Sequence, residues 1–399
     1  MSKEVCVVGL GYIGLPTAAL LANQGYRVHG VDVTPEVVDT INQGNIHIVE
    51  PELDAYVAKA VANTQLTASV EAQRADVFIL AVPTPFHEGH VPNIDYVIAA
   101  TKAIAGVVKA GDLVILESTS PVGTTEVVDE TLRGAGVDTS SLYIAHCPER
   151  VLPGHIMREL VENDRIVGGL TPEAGEKVAD FYRSFVSGEV LVTDARTAEM
   201  AKLTENSFRD VNIAFANELS ILCDKFNIDV WELIRLANRH PRVNILQPGT
   251  GVGGHCIAVD PWFIVHAGGD DARIIRAARE INDYKTEWVI ERILSEVKVF
   301  ETKYGKTPTI ACMGLAFKPN IDDLRESPAL EVFQALQKVG TEVLAVEPNL
   351  KQHKSIHLTD YHQAAETADV IIYLVAHNEF KHLKVKGTVL DFCGVTVNQ

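Results

Sequence analysis

The run Gly249-Thr250-Gly251-Val252-Gly253-Gly254-His255-Cys256-Ile257-Ala258-Val259-Asp260-Pro261 places a thiol directly after a glycine-rich stretch. Glycines at this density leave backbone N–H groups accessible and let the chain lie close against a ligand. A cysteine beside such a stretch can act as a nucleophile, because N–H dipoles and a nearby cation stabilise the thiolate. The other reading of the same residues is a buried, inert thiol following a flexible turn. Asp260, four residues on, is either a base or a turn carboxylate ahead of Pro261. Lys202 and Asn206 are four apart in a stretch with helical character and so share a face. Together they can stabilise an oxyanion or orient water, or they can form an ordinary solvated polar face.

A second set of residues suits a dinucleotide. In GLGYIGLP, Gly9, Gly11 and Gly14 have the G-x-G-x-x-G spacing, after a strand-like run and before a helix-like one. The first glycine permits the tight turn, the second lets the backbone approach a pyrophosphate, and the third lets the helix pack on the sheet. The diphosphate then rests on the helix N-terminus, where unsatisfied N–H groups and the helix dipole favour negative charge. Asp32, 18 residues past Gly14, is placed to hydrogen-bond ribose hydroxyls and argues for NAD over NADP. Val82-Pro83-Thr84-Pro85 reads as a rigid loop at a strand's C-terminal end, where open α/β sheets bind ligands. Glu117-Ser118-Thr119-Ser120-Pro121-Val122-Gly123 repeats that logic, with hydroxyls that contact a cofactor or cap the next helix.

The elements that must position these groups follow from apolar patterning. Strand-like runs at 5–8, 27–33, 77–82, 113–117 and 142–145 alternate with helical stretches such as 17–24 and 95–108. This predicts an N-terminal Rossmann-type, doubly wound parallel sheet. Residues 197–236 and 272–299 read as long helices, separated by the Gly/Pro-rich loop at 247–261. Alternation restarts after Pro308, predicting a smaller C-terminal Rossmann-like α/β domain with strands at 309–313, 342–346, 370–375 and 388–392 and a helix at 328–339. The expected domains are 1–196, 197–300 and 301–399.

Composition narrows the partners. The 399 residues carry 35 Lys+Arg and 53 Asp+Glu, a net charge of −18 that repels phosphate polymers and argues against nucleic-acid binding. The six cysteines (Cys6, Cys147, Cys223, Cys256, Cys312 and Cys393) are scattered without a C-x-x-C pair, so neither a metal site nor a disulfide framework is expected. No apolar run of about 18 residues and no signal-like h-region occurs, which leads us to expect a soluble cytoplasmic protein of bacterial type, not a membrane protein.

The motifs GLGYIGLP, VPTP, ESTSPVGTTE, CPERVLPG, AEMAKLTENSFRDVNIAFANEL, NRHPRVNILQPGTGVGGHCIAVDPWF and GLAFKPNIDDLRESPA together resemble the UDP-glucose/GDP-mannose dehydrogenase family of nucleotide-sugar 6-dehydrogenases. The resemblance runs from Val5 to about Pro348 and is less sharp over the last 50 residues. His255 with Ala258-Val259-Asp260-Pro261-Trp262 favours the branch that oxidises UDP-N-acetyl-D-mannosamine over those acting on UDP-N-acetylglucosamine or UDP-glucose.

The resemblance implies a four-electron oxidation of a sugar C6 alcohol to a carboxylate, with two NAD and one water. Cys256 would carry a thiohemiacetal and then a thioester. Lys202 and Asn206 would stabilise the oxyanion, and Asp260, Glu149 and Thr119 would position water, with the choice of base left open. Gly11, Tyr12, Ile13, Asp32, Pro83, Thr84, Thr119 and Arg325 would contact the cofactor. Glu149, Arg150, Val151, Lys202, Asn206, Gly253, His255 and Lys318 would contact the UDP-sugar, with Arg242 reaching into the partner subunit of a homodimer. Lys318 and Arg325 could equally be surface cations paired with Asp322, Asp323 or Glu326. A two-electron dehydrogenase of 6-phosphogluconate or 3-hydroxyacid type shares the Rossmann start but has no use for Cys256. A non-catalytic NAD-binding protein has no use for Lys202, Asn206, Cys256 and Asp260 together.

Overall fold

The computed structural model describes residues 3–254 and 256–396, which fall into two compact units, 1–205 and 206–399. The first is built on an eight-stranded sheet: β1 (Glu4–Val8), β2 (Arg27–Val31), β3 (Leu66–Ser69), β4 (Val77–Leu80), β5 (Leu113–Leu116), β6 (Tyr143–His146), β7 (Arg165–Gly169) and β8 (Val190–Asp194). The strand order is β3-β2-β1-β4-β5-β6-β7-β8, parallel throughout except that β6 and β7 run antiparallel. β4 and β5 are buried at every position, as strands covered by helices on both faces must be. The order reverses between β1 and β4, so the C-terminal ends of those strands form the crevice in which this class of sheet binds ligands.

The second unit holds the helices Val230–Ala237, Asp260–Gly268 and Arg273–Tyr304, and a four-stranded parallel sheet. Its strands are β9 (Ile310–Met313), β10 (Val343–Val346), β11 (Val370–Tyr373) and β12 (Thr388–Asp391), in the order β10-β9-β11-β12. Helix starts follow capping chemistry. Asp229 accepts from the amides of Trp231 and Glu232, and Ser327 accepts from the amide of Leu330 with Pro328 next in the chain. The helices expected over 197–236 are a 32-residue helix, Ala195–Phe226, and a short one, Val230–Ala237, with the boundary between the units inside the longer helix. The loop expected to reach Pro261 instead ends at Asp260, where a helix starts with proline in its first turn.

Both sheets open with the same construction. Gly9 and Gly314 each follow the first strand at φ 92°, and each donates its N–H over 2.8 Å, to the carbonyls of Val31 and Val346 respectively. The next amide then bonds the acid that ends the second strand: Leu10 to Asp32 at 3.1 Å and Leu315 to Glu347 at 2.8 Å. No helix among the described residues is long and apolar enough to cross a membrane.

Candidate active site

At the switch point of the large sheet the protein itself accounts for two of the three glycines. A Cβ on Gly9 would lie 2.4 Å from the Ala81 carbonyl oxygen, and one on Gly14 would lie 1.8 Å from that of Gly9. Gly11 meets nothing within 4 Å, so no atom of the protein requires a glycine there. Open space over a glycine at the mouth of the helix Gly14–Asn23 fits a pyrophosphate approaching the backbone. Asp32 is held beside this turn, its two oxygens accepting from the amides of Leu10 and Thr34. Tyr12 is exposed and Ile13 half-buried on the same turn.

The loops after β4 and β5 meet. The Thr84 hydroxyl donates to the Thr119 carbonyl at 2.6 Å, and Ser118 bonds the backbone of Val82 in both directions. Pro83 is exposed, while Thr84 and Thr119 are half-buried. The following helix, Thr124–Gly134, is not capped by a local hydroxyl as the sequence suggested; its N-cap is Gly123. Glu199 takes the capping role, accepting from the amides of Gly123 and Thr125 and from the Thr125 hydroxyl. A carboxylate at a helix N-terminus satisfies orphan donors and complements the dipole. It also fixes the turn of helix that carries Lys202 against the Thr119 loop.

Beneath these loops lies a buried charge cluster that sequence reasoning reached only in part. Glu149 and Arg165 form an ion pair of 2.6 Å with both side chains almost fully buried, and Glu149 also accepts from the Arg150 amide. Arg150 pairs with Glu205 at 2.7 Å, and Val151 is half-buried next to it. Glu117 accepts from the Tyr182 hydroxyl at 2.7 Å, and the Arg165 guanidinium sits over the Tyr182 ring. Burial pushes the Glu117 carboxyl up to about 7, with neighbouring Glu149 adding to the rise and Arg165 opposing it. The folded state therefore binds this proton more tightly than the unfolded chain. Stability is expected to fall as pH rises from about 4.5 through about 7. Glu117→Gln is expected to remove that part of the slope, which calorimetry across this pH range checks.

In the second unit, Cys256 is exposed, not an inert core thiol, whereas Cys6, Cys147, Cys223 and Cys312 are buried. Its carbonyl accepts from the amides of Val259 and Asp260, a tight turn that leads into the helix at Asp260. Asp260 is buried and accepts from the Asn206 side-chain amide at 2.5 Å. Two of the expected site residues, far apart in sequence, thus meet beside the thiol's turn. Lys202 lies one helical turn before Asn206 on Ala195–Phe226 and is half-buried. Gly251, Gly253 and Gly254 are packed against protein: added Cβ atoms would meet Thr286, the Glu326 carbonyl and the Phe317 ring at 2.4, 2.2 and 2.9 Å. Lys318 and Arg242 are exposed, and Arg325 makes a two-pronged ion pair with Asp323. His255 lies outside the described residues.

The NAD binding domain of the UDP-glucose/GDP-mannose dehydrogenase family matches residues 3–186, its central domain 196–284 and its UDP binding domain 311–395. The chain belongs to this family. It is an NAD-dependent oxidoreductase of the nucleotide-sugar dehydrogenase class, with a C-terminal region matched to UDP binding. It is 55% identical to a UDP-N-acetyl-D-mannosamine dehydrogenase of Campylobacter jejuni, over 98% of this chain and 99% of the relative. It is equally 55% identical to an NDP-N-acetyl-D-galactosaminuronic acid dehydrogenase of Ralstonia nicotianae, over 96% and 92%. A solved UDP-D-ManNAc dehydrogenase from Pyrococcus horikoshii superposes with a TM-score of 0.89 at 39% identity, covering 98% of this chain and 96% of that one.

The sequence missed Arg165, Glu199 and the buried roles of Glu117 and Glu149. Arg165 had a signal, since a charge opening an otherwise apolar strand must find a buried partner. Glu199 had none, because its partners lie more than 70 residues away.

Proposed function

We propose that the protein oxidises UDP-N-acetyl-D-mannosamine at C6 to UDP-N-acetyl-D-mannosaminuronate, a sugar acid for bacterial surface polysaccharide of the enterobacterial common antigen type. The observation that carries the reading is an exposed thiol on a tight turn next to a buried Asn206–Asp260 pair, in a chain of the nucleotide-sugar dehydrogenase family. The overall change is R–CH2OH + 2 NAD+ + H2O → R–COO− + 2 NADH + 3 H+. NAD, when bound, accepts one hydride in each oxidation.

The chain's residues do the rest. Cys256 Sγ adds to the C6 aldehyde, forming a C–S bond and a thiohemiacetal whose oxyanion Lys202 and Asn206 stabilise. Loss of the C6 hydride leaves a thioester, and water then displaces Sγ to give the carboxylate. Asp260, whose carboxylate is buried and oriented by Asn206, is the group we assign to water activation, with Thr119 as a further contact. Glu149 is committed to Arg165 and the Arg150 amide, so its part is to hold Arg150 and Val151 toward substrate. Gly11, Tyr12, Ile13, Asp32, Pro83, Thr84 and Thr119 would hold the cofactor, with Arg325 a further contact. Arg242, Gly253, His255 and Lys318 would hold the UDP-sugar.

In this reading residues 1–196 bind NAD, 197–300 carry the thiol and the subunit interface, and 301–399 bind the UDP-sugar. A homodimer is supported by Phe208, Phe215, Leu222 and Phe226, all exposed on one helix, with the first three at seven-residue spacing. The mass in light scattering tests it. A cytoplasmic location is supported by six scattered cysteines with no C-x-x-C pair and no disulfide-framework spacing.

The deciding experiment measures NADH formed per sugar with limiting UDP-N-acetyl-D-mannosamine and excess NAD. UDP-N-acetylglucosamine, UDP-N-acetylgalactosamine and UDP-glucose are run beside it. Two NADH from the mannosamine sugar, with the others inert, supports the reading. One NADH removes the thioester route, and turnover of another sugar alone moves the substrate.

A further inference from the structure

The small sheet also has a switch point, between β9 and β11, and side chains of the protein bond one another there. Where the large sheet has Gly9, Gly11 and Gly14, the small one has Gly314, Ala316 and Pro319 at the same spacing. Its acid, Glu347, is fully engaged: Oε2 accepts from the amides of Leu315 and Ala316 and from His377 Nε2 at 3.0 Å, and Oε1 accepts from Asn349. His377 is completely buried, four residues past the end of β11, as Thr84 is four past the end of β4. The Asn320 backbone N–H and the Asn349 side-chain amide both point at His377 Nδ1, each at 2.9 Å. Two donors on Nδ1 and a carboxylate on Nε2 define one arrangement: a neutral imidazole with its proton on Nε2.

This arrangement reaches the thiol. The Asn320 amide ends the segment Phe317–Asn320, and Asn320 itself adopts φ 61°, a left-handed conformation that asparagine takes more readily than most residues. Phe317 is the surface on which Gly253 and Gly254 rest, three and two residues before Cys256. The same glycine loop is tied to the end of β11 directly, where the Thr250 hydroxyl donates to the Leu374 carbonyl at 2.7 Å. We propose that His377 is a positioning residue for Cys256: its Nδ1 holds the Asn320 amide, and thereby the Phe317 platform that sets the height and direction of the thiol's loop. The inference rests on Cys256 being the reacting group.

Two substitutions separate this role from packing. In His377→Asn the side-chain oxygen can take the place of Nδ1 and keep the Asn320 amide bonded. In His377→Gln the side-chain amide can take the place of Nε2–H toward Glu347, but nothing accepts from Asn320. The expected result is a kcat within about 3-fold of wild type for Asn. For Gln the expected fall is at least about 10-fold, with the KM for NAD within about 2-fold, since an ångström of misplacement costs up to about 10²-fold. Hydrogen exchange of the peptide spanning 315–324 is expected to quicken in the Gln variant and not in the Asn variant.

Equal kcat in both variants, whether wild-type or equally impaired with matching thermal midpoints, would overturn the proposal. The exchange measurement needs no turnover. It therefore decides whether His377 holds the Phe317–Asn320 segment even if wild-type protein oxidises none of the UDP-sugars, a result that would sink the functional reading instead.

Discussion

Cys256→Ala is expected to abolish conversion of the sugar to its acid, with kcat for the four-electron reaction down roughly 10³-fold or more, while the protein stays folded. The size follows from the role proposed for Cys256: without Sγ no C–S bond forms, and the aldehyde has no thiohemiacetal from which the second hydride can leave. The fold is spared because the side chain is exposed, where substitutions change stability by only about 0.5 kcal/mol. Any residual NADH is expected to approach one per sugar, with aldehyde released and trapped by a hydrazine reagent. Wild-type turnover with two NADH per sugar in the alanine variant would end the covalent mechanism. The Asn206–Asp260 pair would then be left as the centre of a different route for adding water.

How much of this could be read from the sequence depends on how local each cause is. The glycine turn, Asp32 and the strand ends were legible, because spacing along the chain sets them: Gly9 to Gly14 must turn within one strand–helix junction. The convergence of Asn206 with Asp260 was legible only as two polar groups awaiting a partner, since their separation of 54 residues carries no local signal. Glu117 was read for the hydroxyls that follow it, yet the structure buries it beside Tyr182 and Arg165. No pattern in ESTSPVG distinguishes a buried carboxylate from one that faces a ligand. His377 was silent for the same reason: its three partners come from two other loops of the small sheet, Asn320 after β9 and Glu347 with Asn349 after β10.

The glycine turn yields the second large effect, through a contrast between two residues of one motif. Gly14→Ala is expected to destabilise the protein by at least about 2 kcal/mol, because its Cβ would lie 1.8 Å from a backbone oxygen that cannot rotate away. At roughly 2–4 °C per kcal/mol for a domain of this size, the thermal midpoint should drop by several degrees. Gly11→Ala meets no atom of the protein within 4 Å, so its midpoint is expected to stay within about 1 °C of wild type. Its effect should appear only when cofactor is added. The methyl group would occupy the space in which we propose that the pyrophosphate approaches the backbone, and the KM for NAD should rise about 10-fold or more with kcat at saturation largely retained. Thermal shift with and without NAD, beside initial rates, reads both variants. A Gly11→Ala protein that binds NAD like wild type would mean that the pyrophosphate lies elsewhere and that Gly11 answers to neither packing nor cofactor. A loss confined to affinity would show that the second glycine is there for the ligand, while the first and third serve the chain's own close approach.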